Sequence, residues 1–252
     1  MTFFAVDDLG VRFGGVVAVD GVSFEVKEGD VYTIIGPNGA GKTTIFNRIG
    51  LIYQPTAGRI LFQEREVRGA PHDVARLGIA RTFQNIELFE QATVLQNLLI
   101  GRHRHRVTSL FDELLFRPSV RRAEIAQREA VERVIDLLDL AHYRDSRVAG
   151  LPYGIRKVVE LGRALATEPK LILLDEPSSG LNPEETDDMA FWIEDIKALG
   201  ITVLMVEHDM NLVSRVSTRV LALNEGRVIA EGTPAEVQSH PAVIEAYLGG
   251  GA

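Results

Sequence analysis

The stretch that most constrains this chain is Gly36-Pro-Asn-Gly-Ala-Gly-Lys-Thr-Thr44, a complete G-x-x-x-x-G-K-[ST] loop. Before it stands Val31-Tyr-Thr-Ile-Ile35, a short apolar and β-branched run that reads as a buried parallel strand. After it, Thr43 to about Ile49 has helical character. Strand, glycine loop and helix is the context in which this motif cradles phosphate. Gly36, Gly39 and Gly41 let backbone N–H groups of a loop that also includes Pro37, Asn38, Ala40 and Thr44 approach phosphate oxygens where a Cβ would obstruct. The Lys42 ammonium can bridge the outer phosphates, and the Thr43 hydroxyl can take a Mg²⁺ position. The helix adds the positive end of its dipole. The spacing predicts a site for a nucleoside triphosphate.

At 252 residues the chain predicts one large α/β domain, or one domain carrying an insertion. A net charge of −8 argues against general nucleic-acid binding, which needs a basic face. Cysteine is absent, which removes disulfide frameworks and thiolate metal sites. The start, Met1 to Asp8, has no basic region followed by an apolar core, so no signal peptide is expected. Apolar runs such as Ile201 to Val206 fall far short of the ~20 residues of a membrane helix. The expectation is a cytosolic chain whose membrane contact goes through a partner.

Residues 3 to 30 alternate apolar and polar positions, as in Gly21-Val-Ser-Phe-Glu-Val-Lys27, and predict antiparallel strands with one solvated face. Beyond the glycine loop, Arg59–Phe62 and Ile79–Phe83 read as strands and His72–Leu77 as a short helix. Residues 93 to 150 change character. Thr93-Val-Leu-Gln96 is a capping box, and a helix from about Ser119 to Leu140 repeats Ile125, Val131, Val134, Ile135 and Leu138 at helical spacing. The region reads as a helical subdomain inserted into an α/β core. Strands return at Leu171–Leu174, Ile201–Val206 and Val220–Leu223, and Asn182-Pro-Glu-Glu185 starts a helix to about Leu199. Thr233-Pro-Ala-Glu236 repeats that start signal.

Leu171-Ile-Leu-Leu-Asp175-Glu176 places two acids at the carboxyl end of a buried strand, where ligands of parallel sheets gather. Asp175 fits a Mg²⁺ partner held through water, and Glu176 a base for an attacking water. His208 follows the tip of Ile201–Val206; alone it reads first as a structural hydrogen-bonding residue and only second as a functional one. Gln84 stands at a strand-to-loop transition and by itself carries little. Leu151-Pro-Tyr-Gly-Ile155 leads into an apolar-periodic helix, Val158 to Ala166, whose first turn holds Arg156 and Lys157. Cations are misplaced there by the dipole rule, so either a surface helix tolerates them or an external anion docks against them. Arg102-His-Arg-His-Arg106 reads as a solvated basic face, with lipid headgroups or a membrane partner as the other reading.

Together these motifs resemble the ATP-binding cassette (ABC) ATPases along essentially the whole chain. The family order is kept: Phe13, the phosphate loop, Gln84, the signature-like Leu151–Ile155, Asp175-Glu176, Ser179-Gly-Leu-Asn182 and His208. Arg12-Phe-Gly-Gly-Val-Val-Ala-Val-Asp20, Arg81-Thr-Phe-Gln-Asn85, Leu88-Phe89, Ser109–Glu113 and Ala246-Tyr-Leu-Gly249 are similar to the ATP-binding subunits of bacterial branched-chain amino-acid importers. The resemblance implies an α/β fold: a P-loop NTPase core with a mainly parallel sheet, an N-terminal antiparallel β subdomain and an inserted α-helical subdomain. It divides one ABC domain into 1–90 with 165–252, and a helical 91–164 that includes the signature loop.

The same resemblance implies roles. ATP and Mg²⁺ are the expected cofactors. Phe13 would stack on adenine, Gln84 would sense Mg²⁺ and couple the lobes, Glu176 would activate water, and His208 would contact the γ-phosphate. Thr43, Gln84 and Asp175 would serve the metal, and Lys42 the phosphates. Two chains, identical or related, would sandwich ATP between one phosphate loop and the other's Leu151, Gly154 and Asn182, with Arg156 and Lys157 near the nucleotide. The signature departs from Leu-Ser-Gly-Gly-Gln at Pro152, Tyr153 and Ile155, so Gly154, nearby backbone donors and the helix dipole would carry that contact. Asn182 replaces the common aspartate; it can still cap its helix but brings no charge. Closure would pass through Gln84 and the helical insert to membrane permease subunits docked at Asn85–Gln91, and a solute-binding protein would join indirectly. The implied place is the inner face of the cell membrane, held there by the permease. With few residues after Tyr247, no appended regulatory domain is expected. The alternatives are a non-transport ABC ATPase acting on DNA or ribosomes, the ATPase subunit of an exporter, and a regulatory ATP-binding module without turnover.

Overall fold

The computed structural model describes residues 2–83, 86–105 and 118–248. They form two compact units, Met1–Arg81 with Lys170–Ala252, and Thr82–Pro169.

The first unit holds two sheets. β1 (Phe4–Phe13), β2 (Val16–Val26), β4 (Ala57–Phe62) and the short β5 (Arg65–Glu66) form an antiparallel sheet in the order β2-β1-β4-β5. The second sheet has the order β10-β9-β3-β8-β7-β6, from β3 (Val31–Ile35), β6 (Ile79–Arg81), β7 (Leu171–Asp175), β8 (Thr202–Val206), β9 (Arg219–Asn224) and β10 (Arg227–Gly232). All of its neighbouring pairs are parallel except β9 with β10. β3, β7 and β8 are buried at every position, as their unbroken apolar runs require of parallel strands covered on both faces.

Successive side chains along these strands feed two cores. Ile34, Leu204, Leu221 and Leu223 join Phe4, Phe24 and Ile60 of the antiparallel sheet around α1 (Lys42–Ile49), whose Ile45, Phe46 and Ile49 are fully buried. Ile35, Val220 and Ala222 turn the other way, onto Val213 of α7 (Met210–Val216), Val237 of α8 (Pro234–Gln238) and Val243 of α9 (Pro241–Leu248). The first unit also contains α2 (Pro71–Leu77) and α6 (Pro183–Ala198). Asn182 caps α6 as its sequence predicts: the Glu185 N–H donates to the Asn182 side-chain oxygen at 3.0 Å, and the Asn182 N–H to Glu185 at 2.9 Å.

The second unit is built on α3 (Val94–Gly101), α4 (Pro118–Leu137) and α5 (Tyr153–Leu165). The Thr93 capping box is formed, with the Gln96 N–H donating to the Thr93 hydroxyl at 3.2 Å. Glycines set how closely α3 and α5 approach. A Cβ on Gly101 would lie 2.4 Å from the Arg163 carbonyl oxygen, and one on Gly162 would lie 3.1 Å from Leu138 and 3.3 Å from Leu98. One sequence expectation is corrected here. Arg102 belongs to no solvated basic face: it is buried and donates to the Ala166 carbonyl at 2.9 Å and to Gln127 at 2.6 Å. Its charge meets the negative end of α5, which explains a buried cation at that point. Arg106 and Ser109–Glu113 lie outside the described residues.

Phe46 links the glycine-loop helix to the core. Phe46→Ala should cost about 3–5 kcal/mol of unfolding free energy, read as a lowered urea midpoint.

Candidate active site

Parallel pairing brings the carboxyl ends of β3, β7 and β8 to one edge. Ile34 stands opposite Val206, and Val206 opposite Asp175. The Glu176 N–H donates to the Val206 carbonyl at 2.9 Å, and the Glu207 N–H to the Ile34 carbonyl at 3.3 Å. The glycine loop, the acid pair and His208 therefore emerge together, as ligand-binding groups of open parallel sheets do.

The loop is pressed onto the protein on one side and open on another. Gly36, Gly39 and Gly41 have φ values of 152°, 82° and 102°. A Cβ on Gly36 would stand 2.3 Å from the Leu223 carbonyl oxygen and one on Gly41 2.5 Å from that of Ala18, whereas one on Gly39 would meet nothing within 4 Å. Lys42 is buried, and its ammonium donates to the carbonyls of Gly36 at 2.6 Å and Pro37 at 3.0 Å. Burial lowers its pKa, against the opposing pull of Glu176 and Asp175. α1 begins at Gly41 with no side-chain cap and no acid in its first turn, in contrast to α6 with Asn182, Glu184 and Glu185. Uncapped N–H groups, the dipole and a cation beside an open backbone cradle fit a polyphosphate. Thr43, next in the helix, is exposed.

Asp175 is buried at the end of β7, and one of its oxygens accepts from the Arg81 guanidinium at 2.8 Å. Arg81 also donates to Asn47 of α1 at 2.9 Å, so the acid is tied to the helix that follows the loop. Glu176 is held at φ 51°, a left-handed backbone that costs a residue with a Cβ about 1–3 kcal/mol and collects at functional positions. The side chain of His208 is largely exposed, with Nδ1 3.6 Å from Glu207. Phe13 is 45% exposed at the end of β1 and stands edge-on to Tyr53 at 5.1 Å, a free aromatic face in the same unit as the loop. Among the described residues no cluster of three or more acidic, histidine or cysteine side chains could hold a metal alone.

In the other unit, Leu151 precedes Pro152, the residue at the start of α5, and Gly154 is buried in its first turn. Tyr153 is exposed, and Lys157 lies with its ammonium 5.9 Å from the Tyr153 ring. Arg156 stands 3.5 Å from Glu90, so a carboxylate of the same unit already faces that cation. Buried Glu160 accepts the Phe83 N–H at 3.2 Å, and burial raises its pKa. Gln84 and Asn85 lie outside the described residues. Sequence reasoning missed Arg81 and the anchoring role of Glu207. The one available signal for each was a charge set directly beside a buried strand.

A match to the ABC transporter family covers residues 19–179. The chain belongs to that family. A second match, described as branched-chain amino acid ATP-binding cassette transporter, covers residues 227–252. Of its relatives, this ABC protein is 42% identical over 246 residues to the high-affinity branched-chain amino acid transport ATP-binding protein BraF of Pseudomonas aeruginosa, covering 97% of this chain and 96% of that one. The LivG protein of Escherichia coli K12, which bears the same description, is 40% identical over 250 residues, with 97% of each covered. The fold matches a crystal structure of the ADP conformation of an ATP-binding cassette of an ABC transporter, with a TM-score of 0.86, 35% identity and 99% of both chains covered. A nucleotide-free ATP-binding cassette matches with a TM-score of 0.85 and 34% identity, over 98% of this chain and 99% of that one. The α/β fold expected of an ABC ATPase, with its antiparallel sheet and parallel core, is borne out.

Gly41→Ala tests the cradle. A Cβ there adds a clash with Ala18 to about 1–2 kcal/mol of left-handed strain, so affinity for a fluorescent ATP analogue should fall about tenfold or more.

Proposed function

We propose that this ABC ATPase is the ATP-binding and ATP-hydrolysing subunit of an importer for branched-chain amino acids or a related small solute. The observation that supports the substrate class most is likeness over nearly the full length to relatives named for branched-chain amino-acid transport. Those names give no support to the alternatives of a non-transport ATPase or an exporter subunit. Among the described residues no helix is long and apolar enough to cross a membrane, so the path for solute belongs to permease subunits. Leu88 and Phe89 are the docking contact: Phe89 is 60% exposed while its backbone is clamped by Asn97, through bonds of 2.9 and 3.0 Å. A solute-binding protein on the far side of the membrane presents the substrate.

Two ATPase chains, identical or related, close around ATP. The glycine loop of one, Gly36 to Thr44, takes the phosphates, Phe13 takes the adenine, and Leu151, Gly154 and Asn182 of the other complete the site. The segment 91–164 serves as the helical subdomain that brings the signature loop. Mg²⁺ would be held by Thr43, Gln84 and, through water, Asp175, and when bound it neutralises charge on the phosphates. Arg81 keeps one oxygen of Asp175 engaged and the carboxylate oriented. Lys42 has its carbonyl partners at the base of the loop and offers its positive charge to the outer phosphates. Glu176, aimed by its left-handed backbone, accepts the proton of the attacking water. His208, exposed at the tip of β8, orients that water against the γ-phosphate. Hydrolysis breaks the bond between the β–γ bridging oxygen and the γ-phosphorus, giving ADP and inorganic phosphate; the γ-phosphate no longer joins the two chains, and they separate.

Glu176→Gln removes the base and leaves the phosphate cradle. Phosphate release should fall by about 10²–10⁴-fold, and gel filtration with ATP should show a lasting dimer. Unchanged turnover would take Glu176 out of the mechanism.

A further inference from the structure

Glu207 is a carboxylate with 0% exposure, at a position where burial is costly unless its oxygens are filled. They are filled by backbone donors from two different loops. Oε1 accepts the Ser178 N–H at 2.8 Å; Oε2 accepts the N–H groups of His208 at 2.6 Å and Asp209 at 3.1 Å. Ser178 is itself buried and lies in the turn that the Ser179 N–H closes on the Glu176 carbonyl at 3.1 Å. One side chain therefore joins the turn that bears Glu176 to the segment that bears His208. The backbone of Glu207 adds a third tie, to Ile34 just before the glycine loop.

We propose that Glu207 is a positioning residue for ATP hydrolysis, holding the backbones of Glu176 and His208 in register at the tips of β7 and β8. The inference rests on the ATPase reading and deepens it. Nδ1 of His208 is 3.6 Å from the carboxylate, beyond hydrogen-bond range, so the clamp fixes the backbone and leaves the imidazole free to turn. The chemistry of the clamp needs two acceptor oxygens. Glu207→Gln keeps the shape but offers one acceptor and one NH₂ donor, and that donor must face either the Ser178 N–H or the His208–Asp209 pair. One of the two loops is then released.

The test compares wild type, Glu207→Gln, Glu207→Asp and Glu176→Gln as full chains, isolated with the membrane subunits that co-purify with them. Misplacement of reacting groups by about an ångström lowers turnover steeply, so kcat of Glu207→Gln should fall about tenfold or more. Its KM and its Kd for ATP should stay within about twofold, because Lys42 and the glycine loop are untouched. Glu207→Asp keeps both acceptors on a shorter arm and should recover part of kcat. Wild-type kcat in Glu207→Gln overturns the inference, as does a parallel loss of kcat and ATP affinity, the mark of a merely structural role. If Glu207→Gln does not fold, Glu207→Asp decides by the same split of kcat from Kd. Failure of the ATPase reading looks different: wild type without ATP hydrolysis, or Glu176→Gln with full turnover, whatever the Glu207 variants do.

Discussion

Parallel pairing of β3 with β8, and of β8 with β7, is the constraint from which the site follows. Parallel strands run their carboxyl ends to one side, so every group that follows β3, β7 or β8 in the chain reaches the same edge of the sheet. Such strands need cover on both faces, and on β3 and β9 apolar side chains alternate between the α1 core and the α7–α9 core. β3, β7 and β8 are buried on both faces, so a slip of one residue would exchange the side chains that each face presents and mismatch the packing on both. The chemistry at the edge is therefore located by hydrophobic packing below it.

Polar ties then fix the details that packing leaves open. Arg81 and Asn47 hold Asp175 toward α1, Glu207 holds the turns after β7 and β8, and the Lys42 ammonium closes the base of the glycine loop. The ties made by Arg81 and by the Glu207–Ser178 bond join segments distant in sequence, the Lys42 tie closes its own loop, and each involves a buried charge. A buried charge left without partners is costly, so such ties favour one arrangement of the loops over others.

What could be read from sequence was what is local. The glycine loop with its flanking strand and helix, the Thr93 and Asn182 capping boxes, and the apolar runs of β7 and β8 are each short patterns with a physical cause. What could not be read was long-range. Arg81 meets Asp175 across 94 positions because β6 lies beside β7, an adjacency that no periodicity reports. Arg102 sat in a run of basic residues that suggested solvent, yet it is spent on the end of α5. β10 escaped notice because only its last residue is buried, so it shows little of the alternation that marks a half-buried strand. Function was legible earlier than fold, since phosphate binding needs contiguous residues whereas a sheet needs distant ones.

The bare start of α1 has a thermodynamic consequence. Three helices of the first unit carry their own first-turn acceptor, α6 in Asn182, α7 in Asp209 and α8 in Thr233. The helix behind the glycine loop lacks one, so its first turn is finished only when an anion arrives. Nucleotide is in that sense a missing part of the native fold, and occupancy and melting temperature are linked quantities. A cell low in ATP would hold a softer form of this protein, loosest where its substrate binds.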